Sequence, residues 1–532
     1  MKRRFNKVWA LVIALVMVLS LALTGCGKET TSNQPTPTGG ADSGSNNDTG
    51  SGDSETDDTS ADSIVKPEKI KIMVDGTLVT KANARDQFEA KWEELTGIDL
   101  EIIQPDHDAY YDVVGQTFAS GDWPDVILLG STYYSGYATE GVLWDMTQAW
   151  ENSDLKASGR VKDEALVEGL KIGGALYGIA PTRGNGCVTY VKKKWLDNVG
   201  LPVPTNYAEY IAMLEAFTTG DPDGNGVNGD TYGVSSAGII GPEAPYINYL
   251  PEFYQDANPS FYMKADGTWV DGFTEPAMVS ALERLRDAYS KGYMDKETLT
   301  NGTSDCRNKF YEDKFGVFTY WAGTWATNLK TNLEANGLDG ELIALPPIAE
   351  VGTYLERQAP TWCITSKAEN PEGVFKYFFE TMLDGGEVQK LFSYGVEGSH
   401  WSTKAEEIVG KTYSEGQFHM LESLEKPGTQ YTKNHIDPML AIASLVDDPG
   451  AATIATEAKA SQELFNSNSR LAALVPSNDA MSQYNGDLTS LKNEIVANVV
   501  VSGLSIEEEM KRFEDEGGTE WSKAIVDALN GQ

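Results

Sequence analysis

A chain of 532 residues with 41% apolar side chains is too long for one hydrophobic core and suggests two or three. Its 79 acidic against 42 basic side chains give a net charge of −37. That balance argues against nucleic-acid backbones and anionic membrane surfaces as partners, because both are held by basic patches that release counterions.

Lys2, Arg3, Arg4 and Lys7 precede an uncharged apolar run from Val8 to Leu23, which meets Leu23-Thr24-Gly25-Cys26. The run is short for a membrane span and has the layout of a secretory signal. Its end resembles the bacterial lipobox, so residues 1–25 are expected to be cleaved and Cys26 lipidated. Two acyl chains on Cys26 would hold the protein on the outer face of the cell membrane. Residues 27–63 are almost entirely Gly, Ser, Thr, Asn, Asp and Pro. Such a segment cannot offset the entropy of ordering and reads as a tether with a root-mean-square span of roughly 35 Å. Cys187, Cys306 and Cys363 remain, too few for a disulfide scaffold.

The folded part opens as an α/β pattern. Lys69–Val74 alternates as a strand, Lys81–Leu95 has helical spacing, Asp99–Ile103 is a strand, Tyr110–Ala119 a helix, and Asp125–Leu129 a buried strand. Strands alternating with helices imply a largely parallel sheet, whose ligands sit at the carboxyl ends of its strands. This puts Gly130-Ser131-Thr132-Tyr133-Tyr134 on the ligand-facing edge. A second region begins near Thr182: strand Val188–Lys192, helix Lys193–Val199, helix Asn206–Thr219, and strand Phe315–Tyr320 running into Trp321–Trp325. A polar stretch covers 330–341. Helices dominate after Pro371 and end with Leu488–Val501, Ser505–Glu516 and Glu520–Leu529; Ser505 with Glu508 makes a capping box.

Several segments are familiar in combination: GDWPDVILLG (121–130), LYGIAPT (176–182), KKWLDNVGLPVPTNYAEY (193–210), DPDGNGVNGDTYG (221–233) and YGVEGSHW (394–401). Together with the lipobox and tether, they resemble the extracellular solute-binding lipoproteins of carbohydrate ABC importers. The resemblance implies a type II periplasmic-binding-protein-like α/β fold, two lobes joined by a multi-segment hinge, closing over a sugar without catalysis. It also implies partners: an oligosaccharide ligand, ABC permease subunits, the membrane through the lipid anchor alone, and no nucleic acid, in a monomer. Lobe one is expected over 64–181 and 361–430, lobe two over 182–360, with 431–532 completing lobe two and the hinge. Cys187 and Cys363 would both lie on hinge segments. A disulfide between them is one reading; two buried thiols is the preferred one, since adjacent strands often lack disulfide geometry.

Sugar sites combine aromatic platforms with planar polar groups. The candidates are Tyr133, Tyr134, Trp321, Trp325, Trp362, His400 and Trp401 among the rings, and Arg183, Asn185 and Glu397 among the polar groups. For each, core packing or a plain salt bridge is the competing reading. Asp125 reads as a cap for backbone groups. In DPDGNGVNGDTYG, Asp221, Asp223 and Asn225 supply oxygens at alternate positions, Gly226 permits the sharp turn, the Val227 carbonyl falls seventh, and Asp230 closes the set. This suits a structural Ca²⁺, although Tyr232 stands where an EF-hand has Glu; the alternative is a metal-free turn. No H-E-x-x-H or G-x-S-x-G occurs, and Gly410-Lys411-Thr412 lacks the earlier glycine of a P-loop. A secreted glycan-active enzyme, and a receptor for peptides or another solute, are the other readings.

Overall fold

The computed structural model describes residues 64–75, 79–106, 109–181, 184–237, 239–240, 249–425, 427–431 and 442–531. The signal segment, Cys26, the tether and Arg183 lie outside them. Strand β1 (Lys69–Met73) buries Ile70, Ile72 and Met73. It runs parallel to β2 (Asp99–Ile103) on one side and β3 (Val126–Leu129) on the other, with Ile72 level with Ile102 and Val126. All four residues of β3 are buried, as an unbroken apolar run covered on both faces requires. The sheet is mixed, not largely parallel. Thr361–Ile364 enters from far along the chain and lies antiparallel to β3 and to β4 (Gly178–Ile179). A strand supplied by a distant segment carries no local signal of its direction. Phe88, Trp92, Phe378 and Phe392 share the core of this sheet, with Phe392 edge to face with each of the other three.

A second sheet is built on β5 (Cys187–Lys192), every residue of which is buried. Strands Phe315–Trp321 and Leu342–Ala344 flank it, both antiparallel, and β6 (Tyr232–Val234) adds parallel to the former. The helices against it start where their capping residues predict. Asn206 Oδ1 accepts from Glu209 N at 3.0 Å, and Ser505 Oγ from Glu508 N at 3.3 Å. The long helix Asp479–Val500, capped by Asn478, buries Leu488, Leu491, Ile495 and Val499 at three- and four-residue spacing. Two segments differ from the sequence reading. Ser131–Thr139, expected as a strand-end loop, is a helix, and the polar stretch from 330 continues a helix Thr324–Ala335. In the latter Ala326, Leu329 and Leu333 are buried, a three-residue stripe that the surrounding Asn, Lys and Glu disguise. A small third cluster joins Tyr394, Trp401, Phe418, Met420 and Tyr431.

Three chain segments lie side by side between the sheets. Arg357 N donates to Asn185 O at 2.9 Å, and Tyr354–Glu356 pairs in parallel with Ser469–Leu471. The approach is close enough that a Cβ on Gly184 would stand 1.9 Å from the Arg357 carbonyl oxygen, so only glycine fits. Cys363 is a buried free thiol in the first sheet, so it is not cross-linked to Cys187 in the second.

Candidate functional site

A cavity of about 1310 Å³ opens beside these crossing segments, larger than the pockets that enclose a single small molecule. One wall is the start of the helix after β3 (Gly130, Ser131, Ser135), as expected for the carboxyl end of a strand. A second is the end of the strand Phe315–Trp321 with the first turn of the next helix, which present Trp321 and Trp325. Asn185 and Arg357 come from the crossing segments. The third wall is one face of the helix Asp479–Val500: Met481, Asn485, Thr489, Lys492 and Val496 recur every three or four residues along it. At 1.5 Å per residue the stretch from Met481 to Val496 spans roughly 22 Å, so the groove is elongated.

The polar groups on these walls are set by their neighbours. The Arg357 guanidinium lies 5.2 Å from the Trp321 ring centroid and Arg307 lies 5.1 Å from that of Trp325, contacts that orient both ring and cation. Trp325 also stands edge-on to Tyr320 at 4.8 Å. Gln462, on the helix Thr456–Asn468, donates to Asn185 Oδ1 at 3.4 Å. Lys492 is 12% exposed and donates to Asp271 Oδ1 at 2.7 Å; burial holds its pKa below the ordinary value against the opposing pull of Asp271.

Among the sequence candidates, Asn185, Trp321 and Trp325 meet at this cavity. The other described candidates lie elsewhere. Tyr133 is 40% exposed and stacks on Tyr111 at 3.6 Å. Tyr134 is fully buried, its hydroxyl donating to Leu170 O at 2.6 Å. Trp362 packs in the first core 5.4 Å from Phe378. His400 is fully buried: its Nδ1 accepts from Val396 N at 2.8 Å and its Nε2 bonds Asn83 O at 2.7 Å. Burial lowers its pKa. Trp401 donates from Nε1 to Gly395 O at 3.0 Å within the third cluster, and Glu397 is an exposed residue of the same turn. Large rings serve cores and ligands equally well, so residue type alone could not sort these. Asp125 accepts from Lys71 N at 2.8 Å, the backbone cap the sequence suggests. Arg357, Lys492 and the face of the helix Asp479–Val500 were missed. On the helix the only signal was a polar stripe opposite an apolar one.

The loop 221–230 folds on itself. Asn225 Nδ2 donates to Asp223 Oδ2 at 2.8 Å and to Asp230 Oδ2 at 2.9 Å, while Asn225 Oδ1 accepts from Val227 N at 2.7 Å. Asp221 Oδ2 accepts from Gly226 N at 3.0 Å, and Asp221 Oδ1 is buried with no partner. Burial raises the Asp223 pKa, and Asp221 and Asp230 add to the rise. Among the described residues no group of three or more His, Cys, Asp or Glu side chains stands ready to hold a metal ion.

Residues 76–382, more than half of the chain, match the family model described as bacterial extracellular solute-binding protein. The chain belongs to this family. Two relatives are from Bacillus subtilis (strain 168). Lipoprotein LipO is 25% identical over 59% of this chain and 63% of its own length, so the match spans less than two thirds of that relative. The polygalacturonan/rhamnogalacturonan-binding protein YtcQ is 22% identical over 74% of this chain and 80% of its own. Among solved structures, the alginate-binding protein AlgQ2 without calcium ion superposes with a TM-score of 0.59 at 20% identity, covering 87% of this chain and 98% of that one. An EF-hand mutant of the Streptococcus pneumoniae substrate-binding protein FusA in complex with fructo-nystose gives 0.57 at 17%, covering 87% and 99%. The fold of this extracellular solute-binding protein is therefore the two-lobe type II fold, its two sheets being the centres of the lobes. Among the described residues no helix is long and apolar enough to cross a membrane.

Proposed function

We propose that the protein is the substrate-binding component of an ABC importer, which captures an oligosaccharide in the cavity between its lobes and delivers it to a membrane permease. The observation that carries this reading is the pair Trp321 and Trp325 beside Arg357 and Asn185, facing the uncharged polar groups of Ser482, Asn485 and Thr489 across an elongated groove. Flat rings suit the C–H faces of pyranoses, and amides and hydroxyls suit their rims. A groove of roughly 22 Å suits a chain of sugars better than one ring. The names of YtcQ, AlgQ2 and FusA point to the same class of ligand. Glycoside hydrolysis needs two carboxylates flanking the bond, and among the described residues no Asp or Glu lines this cavity, which favours binding over cleavage. Lobes made of 64–181 with 361–430, and of 182–360 with part of 431–532, would close as rigid bodies about the three crossing segments. Cys26 would carry the lipid anchor of a monomer that needs no other membrane contact.

The loop 221–230 is proposed as a structural Ca²⁺ site. The unpartnered buried Asp221 Oδ1 fits a cation. So do two carboxylates that share one amide hydrogen-bond donor group where a cation would serve both. Asp221, Asp223, Asn225 and Asp230 would hold the ion with the Val227 carbonyl, and the ion would offset the repulsion among the three acids. A thermal-shift screen against oligosaccharides tests the receptor reading, because a ligand bound only by the native state raises the melting temperature by mass action. Melting unchanged by every oligosaccharide, or steady consumption of one, would contradict it.

A further inference from the structure

Trp325 reaches the cavity as a ring that is already clamped. It is half-buried in the first turn of the helix Thr324–Ala335, between two neighbours of different kinds. The Tyr320 ring stands at 89° to it, centroid distance 4.8 Å. The Arg307 guanidinium lies over it at 5.1 Å. Trp325 lines the cavity and Arg307 is not among the described residues that do, so the cation backs the ring from outside.

Arg307 is itself held. On the helix Thr303–Tyr311 its Nη2 donates to Ser304 Oγ at 2.8 Å and its Nη1 to the buried Tyr320 hydroxyl at 3.3 Å. Arg307, Tyr320 and Trp325 therefore close a triangle drawn from a helix, the end of the strand Phe315–Trp321 and the helix that follows it.

Fastening the helix to the strand end would account for the bond to Tyr320, but not for the contact with the indole. A lysine could make the bond alone; only a guanidinium can do so and also offer a plane to the ring. Ion pairing does not explain the residue either. In a chain with 79 acidic against 42 basic side chains, its described hydrogen bonds go to two hydroxyls and its plane to a ring.

Resting on the receptor reading above, we infer that Arg307 is a positioning residue for sugar binding. It touches no sugar, and it sets affinity by holding Trp325 in the orientation that presents one face of the indole to the ligand. Its guanidinium takes the other face, which makes Trp325 a one-sided platform. Ordering a side chain of this size at the moment of binding lowers affinity about threefold to tenfold. Arg307 removes that cost by fixing the ring in the free protein.

Calorimetric titration of the full chain tests the inference. The probes are fructo-oligosaccharides, oligogalacturonates and β-1,4-linked xylo- and manno-oligosaccharides of three to six residues, and an oligomer that the wild type binds is carried through the variants. Arg307→Met should weaken binding about threefold to tenfold. The same substitution should change little in R307M/W325A relative to W325A, because a residue that acts only through Trp325 has nothing left to position. Arg307→Lys keeps a donor for the Tyr320 hydroxyl and loses the plane, so it should bind as weakly as R307M with a melting temperature close to that of the wild type. Wild-type affinity in R307K, or an R307M loss that persists undiminished beside W325A, would overturn the inference and leave the receptor reading intact. Failure of the wild type to bind any probe would overturn that reading, and the inference with it.

Discussion

Glu252→Gln should remove a pH dependence of stability that the wild-type chain carries in its second lobe. Glu252 is 2% exposed on the helix Pro251–Tyr254. Its Oε1 accepts from Thr189 Oγ1 at 2.5 Å, and its Oε2 has no partner. Burial pushes its pKa from 4.5 up to about 7, with the bond from Thr189 acting the other way. The native state thus holds this proton more tightly than the unfolded chain. The contribution of Glu252 is fully present below about pH 4.5 and is lost as pH rises through 7. At 1.36 kcal/mol per unit the loss totals about 3 kcal/mol. Gln keeps the acceptor for Thr189 and cannot ionise. Urea unfolding of both proteins at pH 5, 6, 7 and 8 reads the difference, because all other titrations cancel between them. Relative to wild type, the variant should gain about 1 kcal/mol per pH unit up to pH 7 and then level off. A difference that stays constant from pH 5 to 8 would refute the reasoning, whatever its size.

Three further outcomes follow from the packing and the site. Gly316→Ala should lose about 1–3 kcal/mol in the same unfolding assay, since its Cβ would stand 2.4 Å from the Trp195 ring and 2.6 Å from that of Phe217; undiminished stability would mean the two rings are not held as described. Trp321→Ala and Trp325→Ala should each weaken oligosaccharide binding about tenfold or more by calorimetry, with melting temperature little changed, whereas Trp362→Ala should mainly lower the melting temperature. Chelation should lower the melting temperature and Ca²⁺ restore it in the wild type but not in D221N/D223N; sugar affinity should be unchanged, because none of the loop residues lines the cavity.

What could be read from the sequence depended on how local its cause was. The strand Asp99–Ile103 and the helix Lys193–Val199 came out to the residue, because alternation and helical spacing are local and the helix stops at Gly200. The Asn206 and Ser505 caps were legible for the same reason. Cys363 was expected only on a hinge segment; that Thr361–Ile364 is an antiparallel strand of the first sheet depends on a partner more than 230 residues earlier in the chain. At the site, Trp321 and Trp325 were found because they follow a strand end. Trp362 and Trp401 were put forward on the same grounds and serve cores instead. Lys492 was invisible: its pairing with Asp271 and its place on the groove wall arise only when residues 221 apart in sequence are folded together.

The most direct measurement of the central claim is a crystal structure of the protein with an oligosaccharide that raises its melting temperature. Sugar rings should lie on Trp321 and Trp325, with hydroxyls at Asn185, Arg357 and the face of the helix Asp479–Val500. Sugar bound elsewhere, at Tyr133 or beside Trp401 with this groove left to solvent, would contradict it.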